Sequence, residues 1–212
     1  MKRIILTLVS LVAIVAGAHA QLGFGIKAGA TFNSLSWDGC NDELTISDKP
    51  GVGYAIGAMF EYIYKPNGLG LDITAIYSKE GLKANYHLKN GSPTILDFTT
   101  AYMKFPFHLK WMPSLINGGK VVKPIVYTGP EVGLILDSNK NDNHMGRWFE
   151  ESASFKWNIG IGAELWNTLQ VCAQYGIGLN RMFEYNDASI YRVKGINAKS
   201  STLTVTLTWM FR

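Results

Sequence analysis

The fold is decided by the C-terminal stretch Ser201–Arg212, which reads S-T-L-T-V-T-L-T-W-M-F-R. One parity carries large apolar residues and the other mostly threonine: Leu203, Val205, Leu207, Trp209 and Phe211 alternate with Thr202, Thr204, Thr206, Thr208 and Met210. Successive side chains of a β-strand point to opposite faces, so this period of two predicts a strand with one apolar and one polar face. Because similar stretches precede it, we interpret it as the closing strand of a barrel.

Seven earlier stretches alternate in the same way and set the strand count. In order, the eight predicted strands are Gly23–Asn33, Gly51–Tyr64, Leu69 to about Lys79, Thr99–Met112, about Val122 to Leu136, about Phe155 to Leu165, Leu169–Asn180 and Ser201–Arg212. The polar segments between them, including 34–50, 80–98 and 183–200, are expected to be loops. Parity across the sixth connection predicts a three-residue turn at Trp166–Thr168.

The lengths of the connections indicate how the strands lie in a membrane. Those after strands two, four and six are short, whereas the others run to about a dozen residues or more, as in outer-membrane barrels with short periplasmic turns and long outer loops. The sequence therefore predicts an all-β fold, an eight-stranded antiparallel up-and-down transmembrane β-barrel. An even strand count would put both termini in the periplasm.

The N-terminus has the pattern of a secretory signal peptide. Lys2 and Arg3 precede an apolar run, and Ala18-His19-Ala20 has the small-x-small form of a cleavage site. The run is shorter than the roughly 20 residues of a membrane-spanning helix. We expect residues 1–20 to be removed and residues 21–212 to form the barrel domain. Without Lys2 and Arg3 the formal charge falls from +4 to +2, and nothing indicates a nucleic-acid partner.

The two cysteines, Cys40 and Cys172, could form a disulfide in an exported protein. The predicted topology places Cys40 in an outer loop and Cys172 near the other end of the barrel. We therefore expect no bridge between them.

Alternation leaves open which face points inward. A soluble lipocalin-like barrel turns its apolar face towards a ligand, whereas a membrane barrel turns it to lipid. Aromatic residues towards the strand ends, such as Tyr62, Trp111, Trp157 and Trp209, suit two interfacial girdles. The polar faces are rich in glycine, which suits a crowded interior, so we predict that the apolar faces look outward.

Inward-facing charges then follow from strand parity. They are four lysines and four acids: Lys27, Lys104, Lys110 and Lys156 with Glu61, Asp72, Glu131 and Glu164. Buried charges need partners, and neighbouring strands could pair Lys104 with Glu131, Glu131 with Lys156, and Asp72 with Lys110. The favoured interpretation is a structural plug that fills the lumen; the alternative is a polar path for a solute.

Two prolines fall inside predicted strands. Pro106 and Pro130 cannot donate a hydrogen bond to a neighbouring strand, and a closed barrel has no free edge to accommodate them. We expect a local β-bulge at each.

Several segments resemble the outer-membrane β-barrel family that includes the PorT-like proteins. They are F-G-I-K-A-G (24–29), G-Y-A-I-G (53–57), Y-S-K-E-G (77–81), Y-M-K-F-P-F-H-L-K-W (102–111), T-G-P-E-V-G (128–133) and G-I-G-A-E-L (160–165). The resemblance implies a barrel in the outer membrane of a Gram-negative cell envelope, with roles that extend to accessory functions in protein secretion. It brings no catalytic residues.

No catalytic, cofactor or metal site is predicted. The loop that begins at Asp137 starts like a calcium loop, but its sixth position is Asp142 and its twelfth is Trp148. His87, His108 and His144 have no motif that supplies a catalytic partner.

The sequence therefore predicts a non-enzymatic protein with a structural, binding or secretion-accessory role. Its expected partners are outer-membrane lipid, the barrel-insertion machinery and a protein of the envelope or secretion apparatus. The alternatives are a narrow solute channel or, less favoured, an outer-membrane enzyme.

Overall fold

The structure is a computed structural model that describes residues 20–38, 44–64, 67–88, 94–113, 121–140, 148–150, 153–180, 183–187 and 193–211. The strands are β1 (Ala20–Asp38), β2 (Leu44–Lys49), β3 (Gly51–Tyr64), β4 (Leu69–Leu88), β5 (Thr94–Trp111), β6 (Val122–Lys140), β7 (Trp148–Glu150), β8 (Ala153–Leu165), β9 (Leu169–Gly178), β10 (Phe183–Asp187) and β11 (Val193–Phe211). No helix within these ranges is long and apolar enough to cross a bilayer. Residues 1–19 lie outside them, so the signal peptide stays a prediction.

Eight of the strands form a closed antiparallel barrel, which confirms the predicted fold. The order is β1-β3-β4-β5-β6-β8-β9-β11, and pairing of β1 with β11 closes the ring. The remaining strands β2, β7 and β10 pair with β4, β10 and β11 at the end of the barrel away from the termini.

Strand register sets the width of the barrel. A row of paired residues followed once around the ring starts at Leu22 and returns to β1 ten residues later, at Phe32; it passes through Tyr62, Leu71, Leu109, Thr128, Ile159, Tyr175 and Leu203. With eight strands, this stagger implies a strand tilt of about 40° and a backbone radius of about 8 Å. A cylinder of that size is filled by its own side chains.

The apolar faces point outward. Large apolar side chains on all eight barrel strands are exposed, while most inward positions are polar, charged or glycine. Exposed aromatics lie at both ends of this apolar surface, for example Tyr64, Trp111 and Phe211 near the termini and Tyr54 and Phe155 at the other end. This arrangement suits lipid contact, and the soluble alternative with an apolar interior is wrong.

Several segments expected to be loops are strands instead. β1 continues to Asp38, β4 to Leu88 and β6 to Lys140, β5 begins at Thr94, and β11 begins at Val193, while β2 and β10 lie wholly within predicted loops. The physical reason is that two strands of a hairpin satisfy each other's backbone groups in water as well as in lipid. Their polar sequences therefore did not end the strands.

The predicted turn between β8 and β9 is confirmed. Trp166, Asn167 and Thr168 connect the paired residues Leu165 and Leu169, and the amide of Thr168 donates to the carbonyl of Leu165 at 3.0 Å. Trp166 and Asn167 have φ angles of 51° and 57°. Both residues are thus in the left-handed region, which asparagine tolerates better than a bulky side chain does.

The predicted bulges at the prolines are wrong. The register between β5 and β6 is unchanged from Tyr102 to Trp111, and pairing lapses only at positions 107 and 108, which lie opposite Gly129 and Pro130. The register between β4 and β5 is likewise unchanged, and pairing lapses there at Phe105 and Pro106. Pro130 pairs in register with Trp157. A missing proline donor therefore leaves a gap in the ladder without an inserted residue. The bulge in β6 falls at Leu136, which has no partner between Ile135 and Asp137.

Candidate functional site

The barrel interior is the chemically distinctive part of the molecule. All eight charged residues assigned to it are buried, with exposed fractions from 0% for Glu61 to 8% for Lys27. Glu80 and His108 are buried among them. Except for Lys27, which lines the cavity described below, these side chains form two clusters, one towards the short turns and one towards the outer end, joined through His108.

The first cluster is centred on Lys110. Its ammonium Nζ lies 2.7 Å from Oε2 of Glu61 and 2.8 Å from Oδ2 of Asp72, so one cation bridges two carboxylates. Asp72 and Lys110 lie on the adjacent strands β4 and β5, and their ion pair is the one predicted from the adjacency of these strands. All three side chains are at most 2% exposed, which strengthens these contacts relative to a surface pair.

Gln170 extends this cluster across the lumen. Its amide Nε2 donates to Glu61 at 3.0 Å and to Glu164 at 2.9 Å. Glu164 also lies 3.3 Å from Nζ of Lys123, a lysine near the end of the barrel whose side chain is 19% exposed. Each acid of this cluster therefore has a donor.

His108 joins the two clusters. Its Nδ1 lies 3.0 Å from Oδ1 of Asp72, and its Nε2 lies 3.3 Å from the amide nitrogen of Asn158. The same amide donates to Glu131 at 2.9 Å. Because the amide is a donor, Nε2 accepts and the network assigns the ring proton to Nδ1, which donates to Asp72. The imidazole packs against the ring of Tyr127 with centroids 4.7 Å apart.

The second cluster contains an acid that the sequence analysis missed. Lys104 forms a hydrogen-bonded ion pair with Glu80 and lies 3.9 Å from Glu131. Lys156 lies 4.0 Å from Glu80 and donates to the hydroxyl of Thr202 at 2.5 Å. Among the described contacts, Glu80 thus takes the place beside Lys156 that the sequence analysis gave to Glu131.

The signals for the missed residues were local. Glu80 has the inward parity of Asp72, but the predicted third strand ends at about Lys79, one residue before it, whereas β4 continues to Leu88. His108 has the same inward parity as Lys104 and Lys110, but no partner was predicted for it, although Asp72 is directly opposite it in the register. The link through Asn158 depends on strands distant in the chain and has no local signal.

The cavity described inside the barrel is small. It has a volume of about 20 Å³, lies at the second cluster and is lined in part by Lys27, Thr31, Gln174 and Asn158. The hydroxyl of Thr31 and the amide oxygen of Asn158 have no hydrogen-bond partner among the described atoms. A polar cavity of this volume fits a water molecule and excludes any organic solute.

Apolar residues close the end of the lumen near the short turns. This floor consists of Ile63, Met112, Ile125, Tyr127 and Cys172. Cys172 is a free, buried thiol, while Cys40 lies outside the described residues.

The remaining sequence candidates contribute no site to the described part of the molecule. His144 and most of the calcium-like loop lie outside the described residues, as does the side chain of His87. Within the described ranges, no three His, Cys, Asp or Glu residues are grouped so that they could hold a metal ion.

Comparison with known proteins bears on the fold. The family model described as outer membrane protein β-barrel domain matches residues 18–184. The outer membrane protein OprG from Pseudomonas aeruginosa is 13% identical with a TM-score of 0.57, and the alignment covers 92% of this chain and 98% of OprG.

Two further solved structures also align with the chain. Neisserial surface protein A is 14% identical with a TM-score of 0.46, covering 89% of this chain and 97% of that protein. The attachment invasion locus protein Ail of Yersinia pestis is 14% identical with a TM-score of 0.42, covering 89% and 98%. No curated protein matches the sequence.

Proposed function

This chain belongs to the outer membrane protein β-barrel domain family, and we propose that it is a non-conducting membrane anchor that binds a protein of the cell envelope. The binding part would be its outer wall, by which we mean the strands and loops that continue beyond the membrane at the end of the barrel away from the termini. The short turns and both termini would face the periplasm, and strands β2, β7 and β10 would stand outside the membrane. A secretion-accessory role, as the PorT-like resemblance implies, is one form of this function.

The observation that carries the proposal is the filled lumen. Hydrogen bonds and ion pairs run without a break from Lys123 and Glu164, through Lys110 and His108, to Lys104 at the outer end. A permeating solute would have to separate several buried ion pairs, and breaking one such pair costs about 3–5 kcal/mol. An eight-stranded barrel with this interior is suited to hold a position in the membrane rather than to conduct.

The outer wall is the part of the molecule left to act on other proteins. β4 continues eight residues past Glu80 to Leu88, which adds about 20 Å of height at a tilt of about 40°. Loops and strand ends carried on a rigid barrel are the usual place for binding. No catalytic group is needed for such a role, and we expect no enzymatic activity.

Conductance measurements test the sealed barrel. The purified protein inserted in planar bilayers should give no discrete current steps under conditions in which an added porin gives them. Steps whose size changes when Lys104 or Glu131 is neutralised would instead establish a narrow solute channel.

Membrane location is tested separately in cells. The protein should migrate differently on gels before and after heating, and it should stay in the membrane during a carbonate or high-salt wash. Release by either wash would contradict an integral barrel.

A further inference from the structure

The barrel wall does not stay closed over its full height. The ladder between β1 and β3 ends at the pair Asn33 and Gly51, and the ladder between β6 and β8 ends at the pair Leu134 and Ala153. β1 continues beyond the first point to Asp38 and β6 continues beyond the second to Lys140, whereas β3 and β8 begin at these pairs. We call this part of the wall the crown: residues 34–38, 44–49, 80–88, 94–100, 135–140, 148–150, 183–187 and 193–199.

Two sheets make up the crown. In one, β2 pairs with β4, β4 with β5, and β5 with β6. In the other, β7 pairs with β10, β10 with β11, and β11 with β1. Within the described residues no ladder joins the two sheets, so the crown has two seams, one between β1 and β2 and one between β6 and β7.

The seams lie on opposite sides of the barrel at the edge of its apolar surface. Four barrel strands separate them in either direction around the ring. The exposed apolar residues Phe32 and Val52 pair just below the first seam, and Leu134 and Phe155 lie at the start of the second. The wall is therefore continuous where it meets lipid and divided where it meets water.

A sequence feature accompanies each seam. Pro50, which has no amide hydrogen, separates β2 from β3, and the register against β4 shifts by one residue across it. Leu136 is the extra residue of the β6 bulge, directly after the last pair with β8. A bulge bends its strand away from one neighbour. Each seam therefore has a local cause in the sequence, Pro50 at the first and the extra residue Leu136 at the second.

The seam between β6 and β7 leaves two strand edges without a ladder across it among the described residues. The edge of β6 spans residues 135–140, and that of β7 spans residues 148–150. Along such an edge every second residue directs its amide hydrogen and carbonyl away from the neighbour it already has. The regular spacing of these groups matches one kind of ligand, an extended polypeptide backbone.

We propose that the seam between β6 and β7 binds an extended segment of a partner protein by strand addition. The guest strand would pair with β6 on one side and β7 on the other, joining the two sheets of the crown. This inference rests on the proposed binding role and names the kind of partner that the outer wall takes.

The bulge at Leu136 provides a decisive pair of variants. Deletion of Leu136 keeps the partners of β5 in place and removes the residue that bends β6, so β6 should continue beside β7 and close the seam. Leu136→Ala keeps the backbone bulge and removes only an exposed side chain. Both variants should keep the wild-type change in gel migration on heating, and both should give no discrete current steps in planar bilayers.

The experiment selects short random peptides on the full-length protein, held as single copies in lipid nanodiscs, after depletion on empty nanodiscs. Enriched peptides should bind the wild type and Leu136→Ala equally and the deletion variant about tenfold more weakly or worse. Bound peptide should slow amide hydrogen exchange at residues 135–140. Methylation of alternate peptide amides should weaken binding in both registers, and more strongly in the register that faces the six residues of β6 than in the one that faces the three residues of β7, because it removes the donors.

Other outcomes would overturn the inference. These are no enrichment over empty nanodiscs, equal binding to the deletion variant, exchange protection elsewhere in the chain, or indifference to N-methylation in both registers. Dimerisation of the protein through residues 135–140 without peptide would assign the seam to a second copy of this chain. Conductance of the wild-type barrel would contradict the sealed anchor and leave the peptide result standing, so the two proposals fail separately.

Discussion

Replacement of Lys110 by methionine tests whether the interior network stabilises the barrel. Lys110 bridges Glu61 and Asp72 at 2.7 and 2.8 Å, and all three side chains are almost fully buried. Methionine has a similar length and no charge, so the substitution removes the ammonium without opening a large cavity. It leaves two buried acids without their shared cation.

The expected loss follows from the contacts. Each hydrogen bond to a charged group contributes about 1.5–3 kcal/mol. The substitution removes the two to the carboxylates and a longer one, of 3.4 Å, to the amide oxygen of Gln170. Glu61 keeps the donor of Gln170, and Asp72 keeps the donor of His108, which favours the lower part of that range. We expect the free energy of unfolding to fall by about 3–4 kcal/mol, in line with the cost of breaking a buried ion pair.

Urea unfolding from phospholipid vesicles, followed by tryptophan fluorescence, measures this loss. The matched control is Lys123→Met, because Lys123 is partly exposed and its partner Glu164 keeps the donor of Gln170. The control should cost less than about 1 kcal/mol.

A third variant checks the electrostatic cause. Lys110→Met combined with Glu61→Gln and Asp72→Asn removes the uncompensated charges and should recover most of the loss. A loss below about 1 kcal/mol for Lys110→Met, or equal losses for Lys110→Met and Lys123→Met, would refute the account.

Three further substitutions test individual contacts. Gly160→Ala should destabilise the barrel by about 1–3 kcal/mol, because an added Cβ would lie 2.2 Å from the ring of Tyr127. Asn167→Val should cost about 1–2 kcal/mol, since a β-branched residue is strained at a φ of 57°. Thr128→Val should cost about 1–3 kcal/mol and change the Trp157 emission, because the indole loses its 2.9 Å acceptor on the lipid-facing surface. Urea unfolding gives each free energy.

Each of these substitutions has a control at the same kind of position. Gly133→Ala should be nearly neutral, because the nearest atoms to an added Cβ are 3.5 Å away. Asn167→Gly should keep the turn, and Thr128→Ser should keep the acceptor. The packing account fails if Gly133→Ala costs as much as Gly160→Ala. The turn account fails if valine is tolerated at 167, and the hydrogen-bond account fails if serine and valine at 128 behave alike.

The number of barrel strands and the direction of their faces could be predicted from the sequence. Alternation from Leu203 to Thr208 already separates an apolar face from a polar face, because the period of a strand is local and needs no knowledge of its neighbours. The aromatic residues towards the strand ends and the glycine-rich polar faces then indicated that the apolar face looks outward. The same parity assigned Lys110 and Glu131 to the interior. The three-residue turn at Trp166–Thr168 followed from matching parity across one connection.

Strand pairing decided the rest. The contacts of His108 with Asp72 and Asn158 join three strands. The seam beside Leu136 depends on a β-bulge that the residue types at this position do not predict. Polar segments of β4 and β11 were predicted to be loops but form strands, because the neighbouring strands satisfy their backbone hydrogen-bonding groups. Alternation assigns each side chain to one of two faces of its strand. Its contacts with other strands depend on the register around the closed ring, which is a property of all eight strands together.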